Sequence, residues 1–168
     1  MNSNRKNKNN TDNTATGVVA VDGNSVCADT SSSRHHTDKQ LVRERFEASF
    51  GRYNRLAHVQ QRICAELATL LQELKRAGQG SKIKRVMEVG RGTGFLTSRL
   101  VTIWPEAEWF LNDIATSAGK YVAKYVAGAD VDWLWGDAEE IGFPGDLDLV
   151  VSASTVQWFD DMPAFVAK

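Results

Sequence analysis

Three glycines at alternating positions, Gly90, Gly92 and Gly94, follow an acid at Glu88, where an apolar run ends and a helical pattern begins. Val86 to Val89 reads as a strand, and the stretch from Phe95 to Val101 as the helix after the turn. Glycine suits such a turn because it adopts backbone angles other residues avoid and lets a ligand approach the main chain. The helix start offers free N–H groups and a positive dipole end to an anionic group. The chemistry this predicts is binding of a nucleotide-like ligand beyond the carboxyl end of a parallel strand, in a doubly wound α/β fold. The dinucleotide fingerprint G-x-G-x-x-G does not fit, because its third glycine would fall at Phe95.

Two more carboxylates stand at strand ends. Residues 108–113 read as a second strand closing on Asp113, 19 residues beyond Gly94 and near the roughly 20 expected for an acid that holds ribose hydroxyls. A carboxylate suits this task because its lone pairs accept from two hydroxyls at once. Asp137 follows a third strand, residues 131–135, where an acid can accept from an adenine amino group. Residues 147–152 form a nearly continuous apolar run, the pattern of a central parallel strand buried on both faces. Between these strands, Pro105 stops the first helix, residues 115–127 read as another, and a last helix starts near Pro163, capped by Asp160 or Asp161.

The elements ahead of the glycine turn are helical. Leu41, Val42, Phe46 and Phe50 recur at helical spacing until Gly51 interrupts, and Leu56, Val59, Ile63, Leu67, Leu70, Leu71 and Leu74 form the stripe of a second helix. Periodicity leaves open whether this pair covers the crevice as a lid or simply packs on the sheet. Residues 1–38 are polar and read as a disordered tail or linker, with residues 39–168 as the folded part. Within the tail, residues 17–21 form a strand-like run without an evident partner, and His35 and His36 read as an incidental pair. Cys27 and Cys64 suggest neither a disulfide framework nor a metal site. With no membrane-length apolar run and no signal-peptide core, the sequence predicts a cytoplasmic protein. The net charge of −1 conceals an asymmetry: residues 34–85 hold 12 Lys and Arg against 5 Asp and Glu, and residues 86–168 hold 5 against 13. Solvated helix faces and a basic surface for an acidic partner both fit that pattern.

Taken together, Glu88 to Gly94, Asn112 to Ile114, Gly136 to Glu139 and Asp148 to Ser152 resemble the motifs of class I S-adenosylmethionine-dependent methyltransferases, a Rossmann-like α/β fold. Phe46 to Phe50, Tyr53 to Gln60 and Val156 to Trp158 are similar to malonyl-acyl-carrier-protein O-methyltransferases of biotin synthesis. The resemblance covers about residues 40–168. It implies S-adenosylmethionine as cofactor, with Glu88, Gly90, Gly92 and Gly94 around its methionine part, Asp113 on the ribose, and Ile114, Asp137 and Ala138 flanking the adenine. Tyr53, His58, Gln157 and Trp158 are the implied acyl-side candidates, under two N-terminal lid helices. Arg91 departs from the small residue or cysteine of many relatives.

The implied partner is malonyl-loaded acyl carrier protein, with no nucleic acid or membrane. The implied reaction methylates the free malonyl carboxylate, which is already ionised at neutral pH, so no catalytic base is assigned. A methyltransferase acting on another small molecule and a non-catalytic cofactor-binding fragment are the competing readings. The family's seven-stranded sheet places its fourth strand inside with a fifth beside it, whereas only four strands are counted here. The expectation is therefore a truncated, incomplete fold with an open, association-prone edge at residues 147–151.

Overall fold

The computed structural model describes residues 36–80 and 82–168, and the backbone of residues 17–21. Its centre is a parallel sheet of five strands: β1 (Gly17–Val21), β2 (Arg85–Val89), β3 (Glu108–Asp113), β4 (Asp130–Trp135) and β5 (Leu149–Ala153). Their order across the sheet is β1-β5-β2-β3-β4. The chain moves outward from β2 through β3 to β4, then returns to the other side of β2 with β5. That reversal opens a crevice at the carboxyl ends of β2 and β5, where open α/β sheets bind ligands.

Alternating side chains on the strands feed two cores. On one face, Val86, Trp109, Leu111, Leu149 and Val151 pack with α2 (His58–Arg76) and α3 (Thr97–Ile103). On the other, Met87, Val89, Phe110 and Val150 pack with Phe165 of α5 (Met162–Val166). Both faces of β2, β3 and β5 are thereby buried, which is why these strands read as continuous apolar runs. The side chain of Asp148 accepts from the main-chain nitrogens of Lys84 (2.8 Å) and Arg85 (3.0 Å), so it anchors the start of β2, and β5 begins only at Leu149.

Four sequence expectations are corrected. Gly51 does not end the first helix: α1 runs Lys39–Leu56, capped by the Asp38 carboxylate on Leu41 N (2.9 Å), and burial of Phe50 beside Gly51 carries the helix across it. The apolar stripe of α2 splits. Cys64, Leu67, Ala68 and Leu71 are buried, while Val59, Leu70 and Leu74 are exposed, because only an i, i+3, i+4, i+7 face can meet the sheet, and Leu56, also exposed, is the last residue of α1 instead.

The expected helix over 115–127 is reduced to a 3-10 turn, Thr116–Ala118, and one turn of helix, α4 (Gly119–Val122). That is enough to bury Ala118 and Val122. Finally, the run at residues 17–21 has a partner. β1 lies parallel to β5 with Gly17 opposite Leu149 and Val21 opposite Ala153, occupying the edge expected to be open. The backbone groups of β5 on that side would otherwise lack ladder partners, and any extended segment within reach can satisfy them. The tail expectation for residues 1–16 and 22–35, with Cys27 and His35, lies outside the described residues.

Candidate functional site

The first glycine is dictated by packing. Gly90 has φ 68°, and a Cβ there would run into the side chain of Thr155, which crosses from the end of β5. Gly92 differs: at φ 51°, a Cβ would meet nothing within 4 Å, so its emptiness belongs to the cavity it lines. Gly94, at φ 86°, lies against Val122 and Tyr125, each 3.1 Å from a built Cβ, and serves loop-to-helix packing. Gly90 N and Arg91 N both donate to Asn112 O at 3.1 Å, tying the loop to β3.

Asp113 completes the cradle. Gly92 N donates to its Oδ2 (2.7 Å) and Ala115 N to its Oδ1 (2.8 Å). A carboxylate offers about four lone-pair sites, so two remain for hydroxyls of a ligand. Burial raises its pKa, opposed by the two N–H donors and by Arg91. Beside it Asn112, which the sequence reading did not single out as a site residue, donates to Leu134 O and Gly136 O, both at 3.0 Å, and so fixes the turn that presents Asp137 and Ala138.

The cavity sits over the β2 and β5 ends and under α1 and has a volume of about 90 Å³. Its floor includes Gly90, Gly92, Asp113, Ile114, Asp137 and Ala138, six of the eight expected cofactor residues. Its roof is Lys39, Val42, Phe46, Phe50 and Tyr53, all from α1, and the periodicity question is settled for that helix: it covers the crevice. Tyr53 stacks on Phe95 with ring centroids 5.9 Å apart, and Trp158 meets Phe46 edge-on at 6.1 Å. Burial, with Cys64 and Asp113 nearby, raises the Tyr53 pKa, so its hydroxyl stays protonated. Ser154, held at φ 58°, and Thr155 complete the β5 side and were not singled out from the sequence.

The remaining expected residues stand elsewhere. Glu88 is 2% exposed and lies beneath the loop rather than in the cavity wall. Its position on β2 points it, like Val86, to the α2 and α3 face. Its Oε2 has no hydrogen-bond partner among the described residues, and burial pushes its pKa up to about 8. Gly94 also lies outside the wall. His58 and Gln157 are exposed and do not line the cavity, so of the acyl-side candidates only Tyr53 and Trp158 reach it.

Arg91 is 3% exposed and turns away from the cavity, with its guanidinium 4.9 Å from the Trp133 ring centroid and 4.6 Å from that of Trp135. Burial lowers its pKa, against the pull of Asp113 and Glu88. Cys64 is buried in the core, with a thiol pushed up to about 12 mainly by burial, which rules it out as a nucleophile. No group of three or more His, Cys, Asp or Glu among the described residues could hold a metal ion, and no helix among them is long and apolar enough to cross a membrane.

Comparison with known proteins places this geometry among relatives. Residues 86–168 match the family described as a methyltransferase domain. A malonyl-[acyl-carrier protein] O-methyltransferase of Chlorobium phaeovibrioides is 36% identical over 134 residues, covering 77% of this chain and 50% of the relative. One of Haemophilus ducreyi is 36% identical over 132 residues, with 76% and 50% covered. The chain thus spans about half the length of the curated relatives it matches. Among solved structures, the plantazolicin methyltransferase in complex with SAH is similar in fold at a TM-score of 0.52 and 15% identity, covering 77% of this chain and 53% of that one.

Proposed function

We propose that the cavity binds S-adenosylmethionine and that the chain, whose residues 86–168 match the methyltransferase-domain family, serves methylation of the free carboxylate of malonyl-acyl carrier protein. One observation carries the cofactor reading. Asp113 holds Gly92 N while both residues line a cavity in which a Cβ at position 92 would find only empty space. A carboxylate with free lone pairs next to an open glycine is a fit for a ribose beside an aminoacyl chain.

The cofactor, when bound, supplies an electrophilic methyl group on a sulfonium. The chain's own residues bind and orient. Asp113 accepts from the ribose hydroxyls, Asp137 and Ala138 flank the base with Ile114, and the Gly90 to Gly92 turn leaves room for the aminoacyl part. α1 excludes water from above with Phe46, Phe50 and Tyr53. A malonyl carboxylate has an unperturbed pKa of about 4 and needs no base at neutral pH. Rate enhancement therefore rests on alignment, for which well-oriented pairs gain roughly 7–11 kcal/mol. Tyr53, protonated and at the roof, is suited to donate a hydrogen bond to the acceptor, and Trp158 to pack against its acyl part.

The carrier-protein reading draws on the basic segment. Arg52, Arg55 and Arg62 lie near the turn between α1 and α2, where Leu56 and Val59 are 73% and 66% exposed. Exposed apolar side chains with Arg52 and Arg55 nearby in sequence, and Arg62 paired with Glu66, suit an acidic carrier.

Calorimetry with S-adenosylhomocysteine tests the cofactor reading: the wild-type chain binds, and Asp113→Ala and Gly92→Val do not. Equal binding by all three would overturn it. Growth of a biotin-requiring strain lacking its own malonyl methyltransferase tests the substrate. Cofactor binding without rescue would favour a different acceptor.

A further inference from the structure

The roof of the cavity is fastened at one end by charge. Lys39, the first residue of α1, reaches across to the loop after β4, where its Nζ lies 3.1 Å from Asp137 Oδ2 and also bonds Glu139 Oε2. Glu139 is held from the other side: it accepts from Asp160 N at 2.9 Å and from Asp161 N at 2.7 Å, in the loop after β5. Asp160 in turn accepts from Thr37 N (2.8 Å), just ahead of α1. Three separate segments, residues 37–39, 137–139 and 160–161, thus close a ring of bonds at one mouth of the cavity.

Such a ring is not surface decoration. The side chains of Lys39, Asp137 and Glu139 are 18%, 12% and 15% exposed, so solvent screens them less than a surface ion pair, whose contribution is near zero. Lys39 and Asp137 are also cavity wall. The remaining roof contacts are mainly apolar and aromatic, and a further directional bond, from Thr93 Oγ1 to Asn54 Oδ1, lies near the far end of α1, so the Lys39 end can lift about that point.

We propose that Lys39 is a positioning residue that clasps α1 over the bound cofactor and orients Asp137 toward its base, so that cofactor escape requires opening this ion cluster. The inference rests on the cofactor reading above for its ligand, while the clasp itself is a property of the ligand-free chain.

Three chains decide it: wild type, Lys39→Met, which keeps the stem and removes the charge, and Lys39→Arg, which restores it. Hydrogen exchange on the ligand-free proteins is expected to rise about tenfold over residues 42–53 in Lys39→Met and to return toward wild type in Lys39→Arg. Stopped-flow release of S-adenosylhomocysteine is expected to quicken by a similar factor in Lys39→Met, with the urea midpoint for global unfolding little changed. Unaltered exchange over 42–53 in Lys39→Met, or an arginine variant no better than methionine, would overturn the clasp. Altered exchange with no ligand binding by any of the three would instead remove the cofactor reading and leave the clasp of the roof standing.

Discussion

Glu88→Gln should remove a pH dependence that the wild-type chain carries in its core. Glu88 is buried beneath the glycine loop, and burial raises its pKa from the ordinary 4.5 to about 8. A carboxyl with a folded-state pKa above its unfolded one binds its proton more tightly when folded. Its contribution is therefore fully present below about pH 4.5 and is lost as pH rises through about 8. At about 1.4 kcal/mol per pH unit, the whole window corresponds to on the order of 5 kcal/mol, a large part of a typical domain stability of about 5–15 kcal/mol.

Glutamine is nearly the same shape and carries no charge, so this slope vanishes in the variant. Asp113, another buried carboxyl with a raised pKa, is present in both chains and cancels. Urea unfolding at constant ionic strength measures the outcome. The stability of Glu88→Gln relative to wild type should grow by roughly 3 kcal/mol between about pH 5 and about pH 7.5. A difference that stays constant over that range would refute the assignment of Glu88 as a carboxyl held protonated by burial.

Other substitutions separate packing from binding. Gly90→Ala meets Thr155 and a left-handed backbone, and should cost about 2–4 kcal/mol in urea unfolding. Gly92→Ala meets only the backbone cost of about 1–2 kcal/mol, yet should lower S-adenosylhomocysteine affinity at least about tenfold by calorimetry; the reverse ranking would contradict the roles given to the two glycines. Removing residues 1–21 should expose the β5 ladder and produce concentration-dependent association in light scattering, and a variant that behaves as the full chain does would show that β1 does not protect this edge. Carrier-protein binding should weaken markedly as salt is raised from low to physiological levels, where the Debye length is about 8 Å, and affinity indifferent to salt would refute docking through the basic segment.

Much of the site was legible because its parts are local. A glycine turn announces itself through residue types that its backbone angles demand, and Asp113 and Asp137 stand at strand ends that hydrophobic runs delimit. The strands β2, β3 and β5 were legible for the same reason, since burial on both faces writes an unbroken apolar string, whereas the half-exposed β4 showed itself by alternation. Which glycine does what was not legible. Gly90 answers to Thr155, 65 residues away, and Gly94 to Val122 and Tyr125, and no local pattern carries such approaches.

The tertiary structure also decided which polar groups face the cavity. Glu88 and Arg91 belong to the loop's sequence pattern, yet strand alternation turns the first toward α2 and α3, and a pair of tryptophans draws the second under β4. Lys39 carried no motif at all, and its place in the site follows from the line α1 takes across the sheet. The pairing of residues 17–21 with β5 joins segments more than 120 residues apart. A strand-like run in sequence states what a segment is able to pair with, and only the folded chain, by leaving one edge unpaired within its reach, fixes where it pairs.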